Sequence, residues 1–381
     1  MKLSVLLPVY NGGALLERAI SSIVQQDFED FEFIIIDDAS KDDSSSLIKR
    51  VAAKDSRIRA FLHKENAGLA ATLNEGLQLA STPYVARMDQ DDESLPWRLR
   101  IQYIFIHSRP TVAVAGSFVY HMGMSPKQDK LVRLPSDVRE IKRRLPEDNC
   151  IYHPSVILNR ALVLRAGGYR HQFRNAEDYD LWLRLSRDHD LANIPVPLIR
   201  YHFTVDGMTL GRKWEQLYYV FLARASFNHP GKAWSEIERI ASDRYTQVDK
   251  PGFMTAVLDG TVGELLALGY PEQASRLVEQ FSGDIGSELT ASANARIAGF
   301  ASESQNLEQN DWLVEFLDCL RRARNGDSEL NNSTGIGMTK SHTTETDPAT
   351  GDRLSRSQSV EAGSHAPLAK ENTVSSKDKD G

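Results

Sequence analysis

Three carboxylates fall within four residues, Asp89, Asp91 and Asp92, directly after the apolar run Tyr84 to Met88. Like charges that close repel by roughly 4 kcal/mol per pair at an effective dielectric of 20, so water or a cation must offset them. Asp89 and Asp91 are two apart, and an extended segment would point both to one side. A hard divalent cation, Mg²⁺ or Mn²⁺, prefers oxygen ligands and keeps waters or substrate phosphates in its shell. The cluster therefore suits a nucleotide-diphosphate substrate, with the metal bridging protein and phosphate. Acidic triplets are common on loops; what makes this one specific is its place at the end of a buried strand.

Two other strand-like runs end in polar groups. Leu3 to Val9 runs into Tyr10-Asn11, and Phe31 to Ile36 runs into Asp37-Asp38. A fourth acidic site, Glu177-Asp178, opens the helical pattern "AEDYDLWLRLS", whose Leu181, Trp182 and Leu185 should face inward. Blander roles exist for each. Asp38 and Ser40 could cap a following turn. Tyr10 could be an aromatic at the core's edge. Glu177 and Asp178 could serve only the helix dipole, worth ~0.3–1 kcal/mol each.

The elements that must position these groups alternate. Apolar runs at 3–9, 31–36, 58–62 and 84–88 are each followed by a polar turn. Helical spacing at 15–24, 44–53 and 69–80 links them. That pattern predicts an α/β fold, a mostly parallel sheet with flanking helices. In such sheets the ligand crevice lies at the carboxyl ends of the strands, so the three polar strand ends should face one crevice. "TVAVAGS" reads as a further strand, and Trp97-Arg98 as the start of a helix without chemistry. From Trp214 the pattern is helical. From about Asn325 to Gly381 the chain lacks Phe, Trp and Tyr, which predicts a disordered tail.

Composition narrows the classes. The chain has 381 residues and a net charge of −7, against nucleic acid as the main partner. Its two cysteines, Cys150 and Cys319, form neither a disulfide framework nor metal-ligand spacing, as expected in a reducing compartment. No apolar run approaches the ~18 residues needed to span a bilayer. Pro8 and Tyr10 interrupt the only N-terminal run that could imitate a signal peptide. No phosphate-cradling glycine loop follows the first strand, which removes P-loop enzymes and leaves diphosphate charge mainly to the metal.

"VLLPVYN", "IIIDDAS", "NAGLAATLNEGL", "ARMDQDDESLPWRL", "HPSV", "GGYR" and "AEDYDLWLRL" occur in this order. Together they resemble family 2 glycosyltransferases, inverting sugar transferases of the glycosyltransferase A-type fold, over about Lys2 to Thr209. The resemblance implies that Pro8, Tyr10 and Asp38 line the nucleotide pocket, with Asp38 accepting from the uracil ring, and that Asp89 approaches the ribose. It gives Asp91 as ligand of the divalent metal and Asp178 as general base. Arg200 and His202 of "LIRYHF" match part of a late motif near the diphosphate, with His202 a second metal ligand, although Ile199 stands where the family has tyrosine. By residue type alone, His202 is an ordinary structural histidine.

The expected protein is thus a metal-dependent transferase moving a sugar from a nucleotide-diphosphate donor, UDP-linked, to a hydroxyl of a glycan or lipid-linked acceptor. Residues 1–209 would form the catalytic domain, 210–324 a helical extension and 325–381 the tail. A sugar-nucleotide pyrophosphorylase and a non-catalytic scaffold of the same fold remain as alternatives. A cytoplasmic location is expected, with the basic cluster Arg139, Lys142, Arg143 and Arg144 either a solvated helix face or a contact to anionic headgroups at the membrane's inner face.

Overall fold

The structure is a computed structural model that describes residues 1–202, 210–285, 290–291 and 293–297. The first half alternates strand and helix: β1 (Leu3–Val9), α1 (Leu16–Val24), β2 (Phe31–Asp37), α2 (Ser44–Ala52), β3 (Ile58–Leu62), α3 (Leu69–Leu79) and β4 (Tyr84–Arg87). After the acidic turn come β5 (Glu93–Ser94), α4 (Arg98–His107), β6 (Val112–His121), β7 (Lys130–Val132), α5 (Val138–Arg144), β8 (Ile157–Asn159), α6 (Arg160–Arg165), α7 (Glu177–Leu185) and β9 (Asp190–Tyr201). Helices α8 (Leu210–Asn228), α9 (Trp234–Thr246), α10 (Lys250–Ala267) and α11 (Pro271–Ile285) follow.

All nine strands join one sheet, in the order β3-β2-β1-β4-β8-β6-β9-β5, with β7 paired to β6. The β3-β2-β1-β4 half is wholly parallel, as the alternating pattern predicts. Beyond it β8 runs antiparallel between β4 and β6, and β6 pairs parallel with β9. Short strands such as β8 and β5 carry too little periodicity to announce a direction.

Each residue of β1 and β2 is buried, because helices cover both faces of the sheet. The pleat divides them between two cores. Leu6, Ile34 and Ile36 join Leu73 and Leu77 of α3 and Trp182 of α7 on one face. Val5, Leu7, Phe33 and Ile35 join Ile20 and Ile23 of α1 and Leu99 of α4 on the other. Gly76 lets α3 approach β1 closely, since a Cβ there would meet the Leu6 side chain at 2.2 Å. Leu181, Trp182 and Leu185 of α7 are all buried. Each contributes about 1.5–3 kcal/mol relative to exposure.

The helices after residue 209 do not stand apart from this packing. Leu222 and Ala223 of α8 and Ile237 and Ala241 of α9 lie in the same core as Trp182. A third core joins α10 to α11 through Leu258, Val262, Leu265 and Leu277, with Trp214 of α8 packed against it. Residues Met1–Leu307 form one compact unit. The tail expected from residue 325 lies outside the described residues, as does Cys319.

Candidate active site

The strand ends converge as the alternating pattern implied. Pro8, Tyr10, Asp38, Asp89, Asp91 and His202 all line one cleft of about 830 Å³ at the carboxyl edge of the sheet. The loops carrying them are held in uncommon backbone conformations. Among the described residues, Asn11 (φ 52°), Ala39 (φ 62°) and Asn175 (φ 60°) are the non-glycine residues with left-handed φ. They follow β1, follow Asp38 and precede α7 respectively, so all three bound the site. Such conformations cost of order 1–3 kcal/mol and persist only where surrounding bonds impose them. Here Asn11 N–H donates to Ser40 Oγ at 2.9 Å, and Lys41 N–H donates to Asn11 Oδ1 at 2.8 Å, which ties the first two loops together.

Asp38 is almost fully buried and does not cap the helix that follows it. Its Oδ1 accepts from Ala67 N–H at 2.7 Å and lies 2.7 Å from His63 Nδ1; its Oδ2 accepts from Gly68 N–H at 2.8 Å. Burial pushes its carboxyl up, but these bonds outweigh it and hold the group below the ordinary carboxylate range. Oδ2 takes one hydrogen bond of the two it can accept, and Asp38 lines the cleft. His63 bridges Asp38 to Glu75, and the two carboxylates outweigh burial to raise its basicity.

The acidic cluster is a turn, not the extended segment that the two-residue spacing of Asp89 and Asp91 suggested. Residues 90–91 bend the chain between β4 and β5. The bend brings a carboxylate oxygen from each of Asp89, Asp91 and Asp92 within 4.8 Å of one another. Gln90 fixes the bend from the side, accepting from Tyr10 N–H at 2.8 Å and donating to Tyr10 C=O at 3.1 Å. Asp92 points inward and is fully buried; its Oδ1 accepts His202 N–H at 2.7 Å, while its Oδ2 has no partner. Burial and then the charge of Asp89 push Asp91 up to about 6, and the same causes push Asp92 well above the ordinary range.

Two buried cations lie beneath the cluster. Arg87 pairs with Asp89, and Arg98 donates to the backbone carbonyls of Arg87 and Pro154. Arg98 therefore starts α4 as expected, yet it also braces the loop carrying the acids. These guanidinium groups offset part of the repulsion, but Asp91 and Asp92 still hold protons more tightly than usual. The three carboxylates, with Asp92 Oδ2 unpartnered among the described residues, make an oxygen-only donor set that fits a hard cation; His202, whose Nδ1 is buried, is not among the groups gathered within 4.8 Å. Burial and the nearby Arg18 lower the His202 basicity, so its imidazole is held neutral.

Asp178 is the one predicted site residue that lines a neighbouring cavity instead. That cavity, about 350 Å³, shares Asp89 and Tyr201 with the cleft. Asp178 opens α7, accepting from Tyr179 N–H at 2.7 Å and from Asn149 Nδ2 at 3.2 Å. Burial raises its pKa and those two bonds partly restrain it. Burial, rather than the charge of Glu177, sets the direction. Glu177 lines the main cleft, and burial followed by the charge of Asp178 pushes it up to about 7.

Other residues were not anticipated. Arg170, of "GGYR", and Arg174 line the cleft, so cationic side chains stand where diphosphate charge had been left mainly to a metal. Arg170 is held by Asp180, the third acid in the first turn of α7. The basic residues had only loop character in the sequence. Arg200 behaves otherwise than its motif suggested: its fork takes Asp129 at 2.7 and 3.1 Å and also Glu93, and it lines neither cavity.

The family model described as glycosyl transferase family 2 matches residues 4–167. An amylovoran biosynthesis glycosyltransferase of Erwinia amylovora is 32% identical over 220 residues, spanning 56% of this chain and 81% of that protein. The chain belongs to glycosyltransferase family 2. This glycosyltransferase is also 31% identical over 186 residues to an O-antigen biosynthesis glycosyltransferase of Escherichia coli, covering 48% of this chain and 71% of that protein. Among solved structures, Staphylococcus aureus TarS residues 1–349 in complex with UDP superposes with a TM-score of 0.49 at 17% identity, over 82% of this chain and 95% of that one. Family membership sets aside the pyrophosphorylase alternative, and the α/β fold is the one that the motifs of this glycosyltransferase implied.

Proposed function

We propose that this glycosyltransferase moves a sugar from a UDP-linked donor to a hydroxyl of a glycan or lipid-linked acceptor, with inversion at the anomeric carbon, in the assembly of a surface polysaccharide. One observation carries the proposal: the nucleotide-side residues Asp38, Asp89 and Asp91 share a cleft, and Asp178 opens into an adjoining cavity that meets the cleft at Asp89 and Tyr201. The two named relatives are glycosyltransferases of amylovoran biosynthesis and of O-antigen biosynthesis.

In this reading Pro8 and Tyr10 flank the base, and Asp38 Oδ2 accepts the uracil N–H. Asp89 takes the ribose. Arg170 and Arg174 face the diphosphate. Asp91 and His202 would hold Mg²⁺ or Mn²⁺, which when bound neutralises charge growing on the departing diphosphate. Asp178 takes the proton of the acceptor hydroxyl as its oxygen bonds to the anomeric carbon. The bond from that carbon to the diphosphate oxygen breaks, and its electron pair leaves with UDP. A single displacement from the opposite face inverts the configuration, as in inverting hydrolysis with a sugar hydroxyl in place of water.

The exposed Arg139, Lys142 and Arg143 on α5 would serve contact with an anionic membrane surface. Among the described residues no helix is long and apolar enough to cross a membrane.

Release of UDP from a panel of UDP-hexoses, with Mn²⁺ and with excess EDTA, tests the proposal. Asp91→Ala should lose Mn²⁺-dependent UDP binding by calorimetry while keeping its melting temperature. Full turnover in EDTA would remove the metal, and release of UDP from no hexose donor would remove the donor class.

A further inference from the structure

The cavity beside Asp178 is lined largely from within residues 4–167, with Tyr201 and Lys213 added from beyond that segment, and one chain of hydrogen bonds links it to α10. Its wall includes Asn149, Tyr152, His153, Tyr201 and, from α8, Lys213. Tyr152 stands edge-on to Tyr201, with ring centroids 5.3 Å apart. Behind Tyr152, His121 at the end of β6 places its Nε2 2.9 Å from the Tyr152 hydroxyl. The other ring nitrogen, Nδ1, lies 2.7 Å from Oε1 of Glu264 on α10. Lys130 on β7 takes the second Glu264 oxygen, and Met124 N–H donates to Leu268 C=O at 3.1 Å. The end of α10 is therefore pinned to the β6–β7 region at two points.

His121 and Lys130 hold Glu264 down at about 2, where it is ionised and can only accept. His121 Nδ1 must then carry the hydrogen. His121 Nε2 shares one hydrogen bond with the Tyr152 hydroxyl. The Tyr152 hydroxyl, which can both donate and accept, lines the cavity and keeps capacity for a second hydrogen bond there.

We propose that Glu264 is a positioning residue: through His121 it fixes Tyr152 on the wall beside Asp178, so that the Tyr152 hydroxyl hydrogen-bonds a second hydroxyl of the acceptor sugar. Acceptor selection thus depends on the helical region beyond residue 209. This rests on the transferase proposed above. It adds a second contact to the acceptor besides the hydroxyl taken by Asp178, and a single neutral hydrogen bond of this kind is the expected scale of the effect.

The test uses the full chain, UDP-hexose donors and p-nitrophenyl hexosides as acceptors, with transfer and UDP release both followed. Glu264→Ala should raise the acceptor concentration for half-saturation about tenfold, the worth of one such bond. Donor half-saturation should stay within about twofold, and Glu264→Gln, whose amide oxygen still accepts from Nδ1–H, should restore the acceptor value to that range. Tyr152→Phe leaves α10 untouched and guards against simple unfolding of the alanine variant. It should reproduce the acceptor defect, and the Glu264→Ala Tyr152→Phe double variant should be no worse than either alone. If Tyr152→Phe leaves acceptor half-saturation unchanged, or if donor and acceptor values move together in both variants, the role of Glu264 is overturned while the transferase stands. A wild type that transfers to no acceptor overturns both.

Discussion

At the scale of single residues, the site separates two carboxylates by environment. Asp38 is surrounded by N–H donors and kept ionised, whereas at half-buried Asp178 desolvation outweighs the stabilising Tyr179 N–H, Asn149 and Arg87 charge. A general base benefits from a raised pKa, because proton affinity then lies closer to the operating pH. Asp178→Asn keeps the shape and both neighbours but cannot take a proton. We expect the transfer rate to fall by about 10²–10⁴-fold, the usual worth of a positioned base. UDP binding measured by calorimetry should barely change, because Asp178 lines the second cavity and not the cleft. A near-normal rate would take Asp178 out of the chemistry, and lost UDP binding would reassign it to the donor side.

At the scale of elements, the edge of the sheet opposite the site is held by one buried acid. Glu32 of β2 accepts from Ser4 of β1 at 2.6 Å, from Ser81 N–H and Oγ at 2.7 Å each, and from Arg59 of β3 at 2.6 Å. Burial alone would raise its pKa, but these donors bring it down from 4.5 to about 2. The folded state therefore releases this proton more readily than the unfolded chain. Its contribution is full above the unfolded value and is lost as pH falls from about 4.5 through about 2. Glu32→Gln should cost on the order of 1–3 kcal/mol at neutral pH, since charged hydrogen bonds are removed from a buried site. The gap between variant and wild type in denaturant midpoint should close as pH is lowered through that window. A gap that stays constant with pH would show that the charge does not stabilise the strands.

At the scale of the whole molecule, α8 and α9 complete the core around Trp182. A fragment ending at residue 209 would expose Trp182 and its neighbours on α7. It should be insoluble or melt far below the full chain, even though the motifs end there. Removal of the tail after Asn325 should instead leave turnover and melting temperature nearly unchanged, because that segment has too few apolar residues to offset its ordering entropy. A large loss in either measurement on tail removal would mean that it docks.

Sequence periodicity alone determined the parallel half of the sheet and the strand ends that carry Tyr10, Asp38 and Asp89. Both follow from local rules: alternation of strand and helix, and polar groups where apolar runs stop. The inward face of α7 was legible for the same reason. What no spacing could decide was long-range. The acidic run had to be folded before it was clear that it bends and that Asp92 turns inward to His202, 110 residues away. Arg170 reaches the cleft only because Asp180 holds it, and Arg200 misses it because Asp129 and Glu93 hold it elsewhere. Whether Asp178 is raised or lowered depended on burial against a helix N-terminus, and burial is a property of the packed core. The link from Glu264 through His121 to Tyr152 joins residues 143 and 31 positions apart. Such contacts are set by which surfaces meet when α10 docks, and no local pattern in the chain records that.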